Sequence, residues 1–161
     1  MFAHKLNLLH ILLLLSAGAC LYFALWESRR RTIRLRRLFW SPWLAIVAAL
    51  LMVFFQIGMK QPAWPFLAAL GLGLIVGSAR GMTMKLEVDE FWLVVRPAGR
   101  RTVIWIAALV LAAALVDIAG AVVGPDGKAW RYYAALVATA CSGGLFGRAI
   151  FMAGRVWRLV G

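Results

Sequence analysis

Acidic side chains are scarce in this chain: six Asp and Glu stand against 18 Lys and Arg, a formal charge of +12. Charged residues of both signs make up 15% of the sequence, too few to coat a soluble domain of 161 residues. Cysteine is nearly absent. Cys20 and Cys141 both fall in apolar segments, without the spacing of a disulfide framework, a zinc site or a Cys-x-x-Cys redox motif. Histidine is as rare. His4 and His10 are the only two, and their separation does not put them on one helical face, which argues against haem ligation. There is no glycine-rich phosphate loop, serine nucleophile elbow or carboxylate dyad. The sequence therefore offers no catalytic residue, no cofactor site and no metal site.

What the chain has instead is apolar length. Hydrophobic residues make up 64% of it, and the mean hydropathy is +0.86. A membrane-spanning helix needs about 20 predominantly apolar residues. Five segments qualify, at about 6–26, 38–58, 62–79, 103–123 and 132–152. In a soluble protein the basic excess would suggest nucleic acid. Here the bases cluster between apolar runs, so the expected partner is the lipid bilayer, with no nucleic acid. The expected fold class is an all-α membrane protein, a bundle of about five transmembrane helices in a single domain over 1–161.

Arginine sets the orientation. The linker after the first segment holds Arg29, Arg30, Arg31, Arg34, Arg36 and Arg37. The linker after the third holds Arg80, Lys85, Arg96, Arg100 and Arg101, and the C-terminal end carries Arg148, Arg155 and Arg158. Alternating spans place all of these on one side and leave Lys5, Lys60, Lys128 and Arg131 on the other. By the positive-inside rule the N-terminus is outside and the C-terminus cytoplasmic, in a bacterial inner membrane. Tryptophans at 26, 40, 43, 64, 105, 130 and 157 lie near segment ends, where an amphipathic indole prefers to sit. The run Ala17-Gly18-Ala19-Cys20 has some likeness to a lipoprotein cleavage site. The apolar stretch continues to Trp26, however, and cleavage would leave six arginines outside, so an uncleaved helix is expected.

Residues 80–101 change period. Met84, Leu86 and Val88 alternate with polar residues, as do Phe91, Leu93 and Val95. This predicts a short cytoplasmic β-hairpin at about 83–97, turning at Asp89–Glu90 and pairing Val88 with Phe91, Leu86 with Leu93 and Met84 with Val95. A glycine-rich helix ending in Arg80-Gly81, a strand pair, then Arg96 and a tryptophan-led helix resemble the CcdC-like small integral membrane proteins over about Gly71–Val116. That resemblance implies a link to cytochrome c biogenesis and carries no defined active-site residue.

Three groups of residues stand out as candidate sites. His10, Gln56 and Asp117 fall in the outer half of their segments. Asp117 is about six residues, or ~9 Å, from the end of its helix at 1.5 Å per residue. An ionisable side chain within a span is costly and faces protein or a water-filled cavity, so a His10–Asp117 pair is a candidate intramembrane polar cluster. Gly73, Gly77 and Gly81 repeat every four residues, as do Gly143 and Gly147, the spacing of a close helix-packing face. Arg29, Arg30, Arg31, Arg34, Arg36 and Arg37 fix topology and are candidate contacts for anionic lipid headgroups. Arg148, Arg155 and Arg158 share a helical face that reads as an inner-leaflet anchor. These features suggest a non-enzymatic inner-membrane accessory or assembly factor, in cytochrome c maturation if the resemblance holds. A structural subunit of a larger membrane complex and a small oligomeric transporter or channel component are the alternatives. Each implies a membrane-protein partner or a homo-oligomer.

Overall fold

Five helices carry the chain: α1 (Leu8–Arg29), α2 (Trp40–Gly58), α3 (Trp64–Thr83), α4 (Arg100–Val123) and α5 (Lys128–Val160). All five are long and apolar enough to cross a membrane. The structure, a computed structural model, describes residues 8–29, 33–58, 61–83, 86–89, 94–97, 100–124 and 127–160. Helix boundaries follow local chemistry. The Ala63 carbonyl accepts bonds from the Phe66 and Leu67 amides, and Pro65 sits in the first turn, where its missing N–H costs nothing. α4 ends at Gly124, whose φ of 90° closes the helix with a 3.2 Å bond from its amide to the Gly120 carbonyl.

α5 is the central column. It packs against α2, α3 and α4, while α1 completes the bundle against α2 and α4. Small side chains fill the interior: Ala17, Ala48, Ala107, Ala114, Ala135 and Ala138 are fully buried. Large ones face outward, among them Leu15, Phe54, Leu67, Trp105 and Trp157. A water-soluble bundle buries its largest apolar side chains, so this inverted distribution is that of a protein dissolved in lipid.

The expected hairpin is not found as such. Asp89 lies in a strand opposite Val94, and the pairing built on a turn at Asp89–Glu90 is replaced by another. Residues Leu86–Asp89 (β2) and Val94–Pro97 (β3) are antiparallel with Val88 opposite Val95 and Leu86 opposite Pro97, so four residues join the strands where two are expected. β3 also pairs with Ile33–Arg34 (β1), giving the order β1–β3–β2. The reason lies in turn chemistry: a two-residue hairpin turn needs positive φ at both central residues, which Asp-Glu does not favour. Met84 and residues 90–93 lie outside the described residues. The all-α bundle of five helices stands, and the strands are a small patch on its connections.

That patch nonetheless fixes how the helices alternate. Pairing of β1 with β3 brings the α1–α2 and α3–α4 connections to one end of the bundle, the end rich in arginine. At the other end the start of α1 meets the end of α2 through His10 and Phe55. The start of α3 meets the start of α5 there through Phe66 and Tyr132.

α3 is held almost entirely by α5, through glycine. A Cβ on Gly73 would strike the Ala140 backbone, and one on Gly77 the Gly144 backbone. A Cβ on Gly81 would press on Phe151, 3.1 Å away. Gly143 and Gly147 in turn lie on the backbones of Leu70 and Leu74. The contacts advance in the same direction along both helices, so α3 and α5 are parallel. Replacing Gly77 with alanine forces two backbones apart and is expected to cost about 1–3 kcal/mol. Gly144→Ala, whose Cβ would have its nearest neighbour at an ordinary 3.8 Å, is expected to be near neutral. Thermal unfolding of the two variants in detergent micelles checks the contrast.

Candidate functional site

Four helices contribute polar groups at the arginine-poor end. Asp117 is 0%, Gln56 1% and His10 4% exposed. The ionic partner of Asp117 is Arg131 of α5, whose Nε donates to Oδ1 at 3.0 Å. Arg131 belongs to the basic residues assigned to the outer side of the membrane, and its side chain is only 11% exposed. Its guanidinium also lies 5.7 Å from the centre of the Phe55 ring, and the His10 ring stacks on Phe55 at 4.8 Å. His10, Phe55, Arg131 and Asp117 thus form one chain of contacts across α1, α2, α5 and α4. Gln56 is buried next to Phe55 in sequence, and its carbonyl accepts from the Gln61 amide at 3.3 Å. Asp117 Oδ2 and Gln56 Nε2 are buried with no hydrogen-bond partner among the described residues. One is an acceptor and the other a donor.

Glycine makes the Asp117–Arg131 bond possible. The backbones of Gly120 and Gly127 touch where α4 turns into α5, and the aliphatic stem of Arg131 passes over Gly120. A side chain at Gly120 would displace the Arg131 stem, and one at Gly127 would strike the Gly120 backbone beneath it.

A second buried ion pair closes the opposite end. Arg148 of α5 places Nη1 3.7 Å from Glu27 Oε1 of α1, with both side chains under 10% exposed. Arg148, Arg155 and Arg158 therefore do not act as one outward anchor. Arg148 is inside the bundle, and Arg155 donates at 3.2 Å to the carbonyls of Gly81 and Met82, capping the end of α3. Arg158 is exposed. Near the same end Cys20 Sγ donates to the Ser41 carbonyl at 3.4 Å, tying α1 to the start of α2. Both cysteines are free thiols.

The remaining candidates fall as follows. Gly73, Gly77, Gly81, Gly143 and Gly147 come together in the α3–α5 contact. Of the arginine group, Arg29 ends α1 and is exposed, and Arg37 is exposed with its guanidinium 5.1 Å from the Trp26 ring centre. Arg34 lies in β1 and Arg36 in the 3₁₀ segment Leu35–Phe39. Arg30 and Arg31 lie outside the described residues. Sequence reasoning missed both arginines that answer the helix acids. For one a signal existed: Asp117 and Arg131 stand equally far on either side of Gly124, so an antiparallel α4–α5 hairpin turning there makes them face each other. Glu27 and Arg148 come from distant helices, and nothing in their spacing announces the pair.

No protein-family model, curated protein or solved structure matches the chain. The likeness to the CcdC-like proteins accordingly rests on the residues quoted for it alone.

Removing one partner of a buried ion pair strands the other charge, at a cost of about 3–5 kcal/mol. Arg131→Met is expected to lose stability on that scale. The double variant Asp117→Leu with Arg131→Met, which leaves no charge behind, should recover most of it. Unfolding titrations in mixed micelles measure both; a loss under about 1 kcal/mol for Arg131→Met would equate this pair with an exposed one.

Proposed function

We propose that this chain is a non-enzymatic accessory or assembly protein of the bacterial inner membrane, with its N-terminus outside and its C-terminus in the cytoplasm. One observation carries the reading: the charges inside the bundle are spent on architecture. Both acids that lie in helices are matched to α5 arginines, and Arg155 caps α3. Such a molecule acts through its surfaces, by holding or presenting another membrane protein or a second copy of itself. The client suggested by the CcdC-like resemblance is the apparatus of cytochrome c maturation. The orientation draws on the positive-inside rule and on the strand pairing that brings two arginine-rich connections to one end.

A structural subunit of a larger complex is the nearest alternative, and it differs in permanence. Gentle detergent extraction followed by native mass spectrometry separates the two. An assembly factor is expected free or bound substoichiometrically to immature client, and its deletion leaves that client unfinished. Recovery in fixed ratio within a finished complex would make it a subunit.

A small oligomeric transporter or channel component is favoured by one detail, the buried Asp117 Oδ2 and Gln56 Nε2 atoms. On that reading Asp117→Asn abolishes transport in protein that still inserts and folds, whereas an accessory role leaves client maturation intact as long as the bundle is folded.

Orientation has its own test. A cysteine introduced at Lys128 is expected to react with a membrane-impermeant thiol reagent on intact cells, and one at Arg158 only after the membrane is opened. The reverse pattern would invert the topology.

A further inference from the structure

Apart from the polar cluster, a groove of about 370 Å³ lies between the end of α1 and the start of α2. Tyr22, Phe23, Trp26 and Trp40 wall it. The aromatic rings brace one another, Phe23 lying 5.6 Å from Tyr22 and 5.2 Å from Trp40. Tyr22 and Trp40 are more than half exposed, so the groove opens sideways, toward lipid. It lies where the apolar span of α1 gives way to the arginine-rich linker, the level of a bilayer at which tails meet headgroups.

Its charged groups are confined to the linker end. Arg37 lines the groove, with its guanidinium over Trp26. Glu27 adds a carboxylate there, and the Ser41 hydroxyl lies deeper, 3.5 Å from Cys20 Sγ. An unpaired Glu27 would repel an anion. Its pairing with Arg148 removes that obstacle, and Nε and Nη2 of Arg148 are buried with no hydrogen-bond partner among the described residues. The formal charges of Arg37, Arg148 and Glu27 leave a net positive site at one end of an aromatic trough.

We propose that this groove binds one anionic phospholipid, with the phosphate held by Arg37 and an acyl chain laid along Trp40, Phe23 and Tyr22. The polarity runs the right way. From Trp26 to Tyr22 the wall descends about one helical turn, ~6 Å at 1.5 Å per residue, from the headgroup level into the hydrocarbon. Charge complementarity selects an anionic lipid over a zwitterionic one, and the aromatic trough selects a lipid over free phosphate. General attraction of the linker arginines for an anionic leaflet would give no single site and no dependence on one residue.

The test is native mass spectrometry of the full chain in detergent, titrated with phosphatidylglycerol or phosphatidylcholine. The first phosphatidylglycerol is expected to bind with clear preference, and Arg37→Gln to weaken it about fivefold or more, the scale of one arginine near anionic headgroups. Arg37→Lys should keep most of the preference. Trp40→Ala should weaken both lipids alike, and Arg158→Gln, far along α5, should change nothing. Arg37 and Arg158 are both exposed, so these substitutions do not disturb the core. Equal losses for Arg37→Gln and Arg158→Gln would mean diffuse attraction and overturn the site. So would displacement of the lipid by millimolar inorganic phosphate, or equal binding of the two lipids by the parent chain.

Discussion

Lipid gives apolar helices no hydrophobic reason to associate, so a bundle inside it must be held by close packing and by polar groups that have nowhere else to go. In this protein both kinds of contact converge on α5. Glycine and alanine let α3 lie on it backbone to backbone, and Arg131 near its start and Arg148 further along it hold the acids of α4 and α1. The remaining helices are arranged around that column.

The placing of the two ion pairs explains how a span this apolar tolerates them. Arg131 and Arg148 are 17 residues apart, about 26 Å along a helix at 1.5 Å per residue, against a hydrocarbon thickness of about 30 Å. Each pair therefore lies near a boundary of the hydrocarbon, where a long arginine stem can still bring its charge toward water. Between them the buried face of α5 is mostly alanine, glycine, serine and threonine, with Leu145 its one large buried side chain. Thr139 and Ser142 there turn their hydroxyls back to carbonyls of their own helix, at 2.6 and 2.8 Å, and so place no demand on a neighbour. The ends of the column hold charge, and the middle holds contact.

Much of the architecture was legible because it rests on one-dimensional quantities. The five helices follow from apolar length. The spacing of Gly73, Gly77 and Gly81 marks a close approach whatever the partner, although nothing in it names α5 as that partner. Legibility failed where the outcome depends on which helix lies next to which. Arg148 and Arg155 share a face on a helical wheel, but one turns into the bundle toward Glu27 and the other reaches across to the end of α3. A count of bases by side of the membrane cannot see such assignments, and for the same reason it gives Arg131 a side of the membrane and no partner. The strand patch failed differently. Alternation pointed to a hairpin at about 83–97 turning at Asp89–Glu90, but register depends on the length of the turn, and the third strand came from a linker read only for its charge.

The two ends differ in chemical character as well. The arginine-poor end encloses a compact cluster of His10, Phe55, Arg131 and Asp117. The arginine-rich end exposes an aromatic groove beside the strand patch. On the proposed accessory role the second end has most to offer, because Arg37 and aromatic rings lie together on its surface.

The central claim is that α5 holds the bundle through arginines answering acids on other helices, and a double-mutant cycle across Glu27 and Arg148 tests it most directly. Unfolding free energies in micelles for Glu27→Gln, Arg148→Met and the double variant give the coupling between them. The account predicts a coupling above about 1 kcal/mol, within the range found for residues in contact. Additivity to within about 0.3 kcal/mol would show the two charges to be independent, and α5 would then be a column held by packing alone.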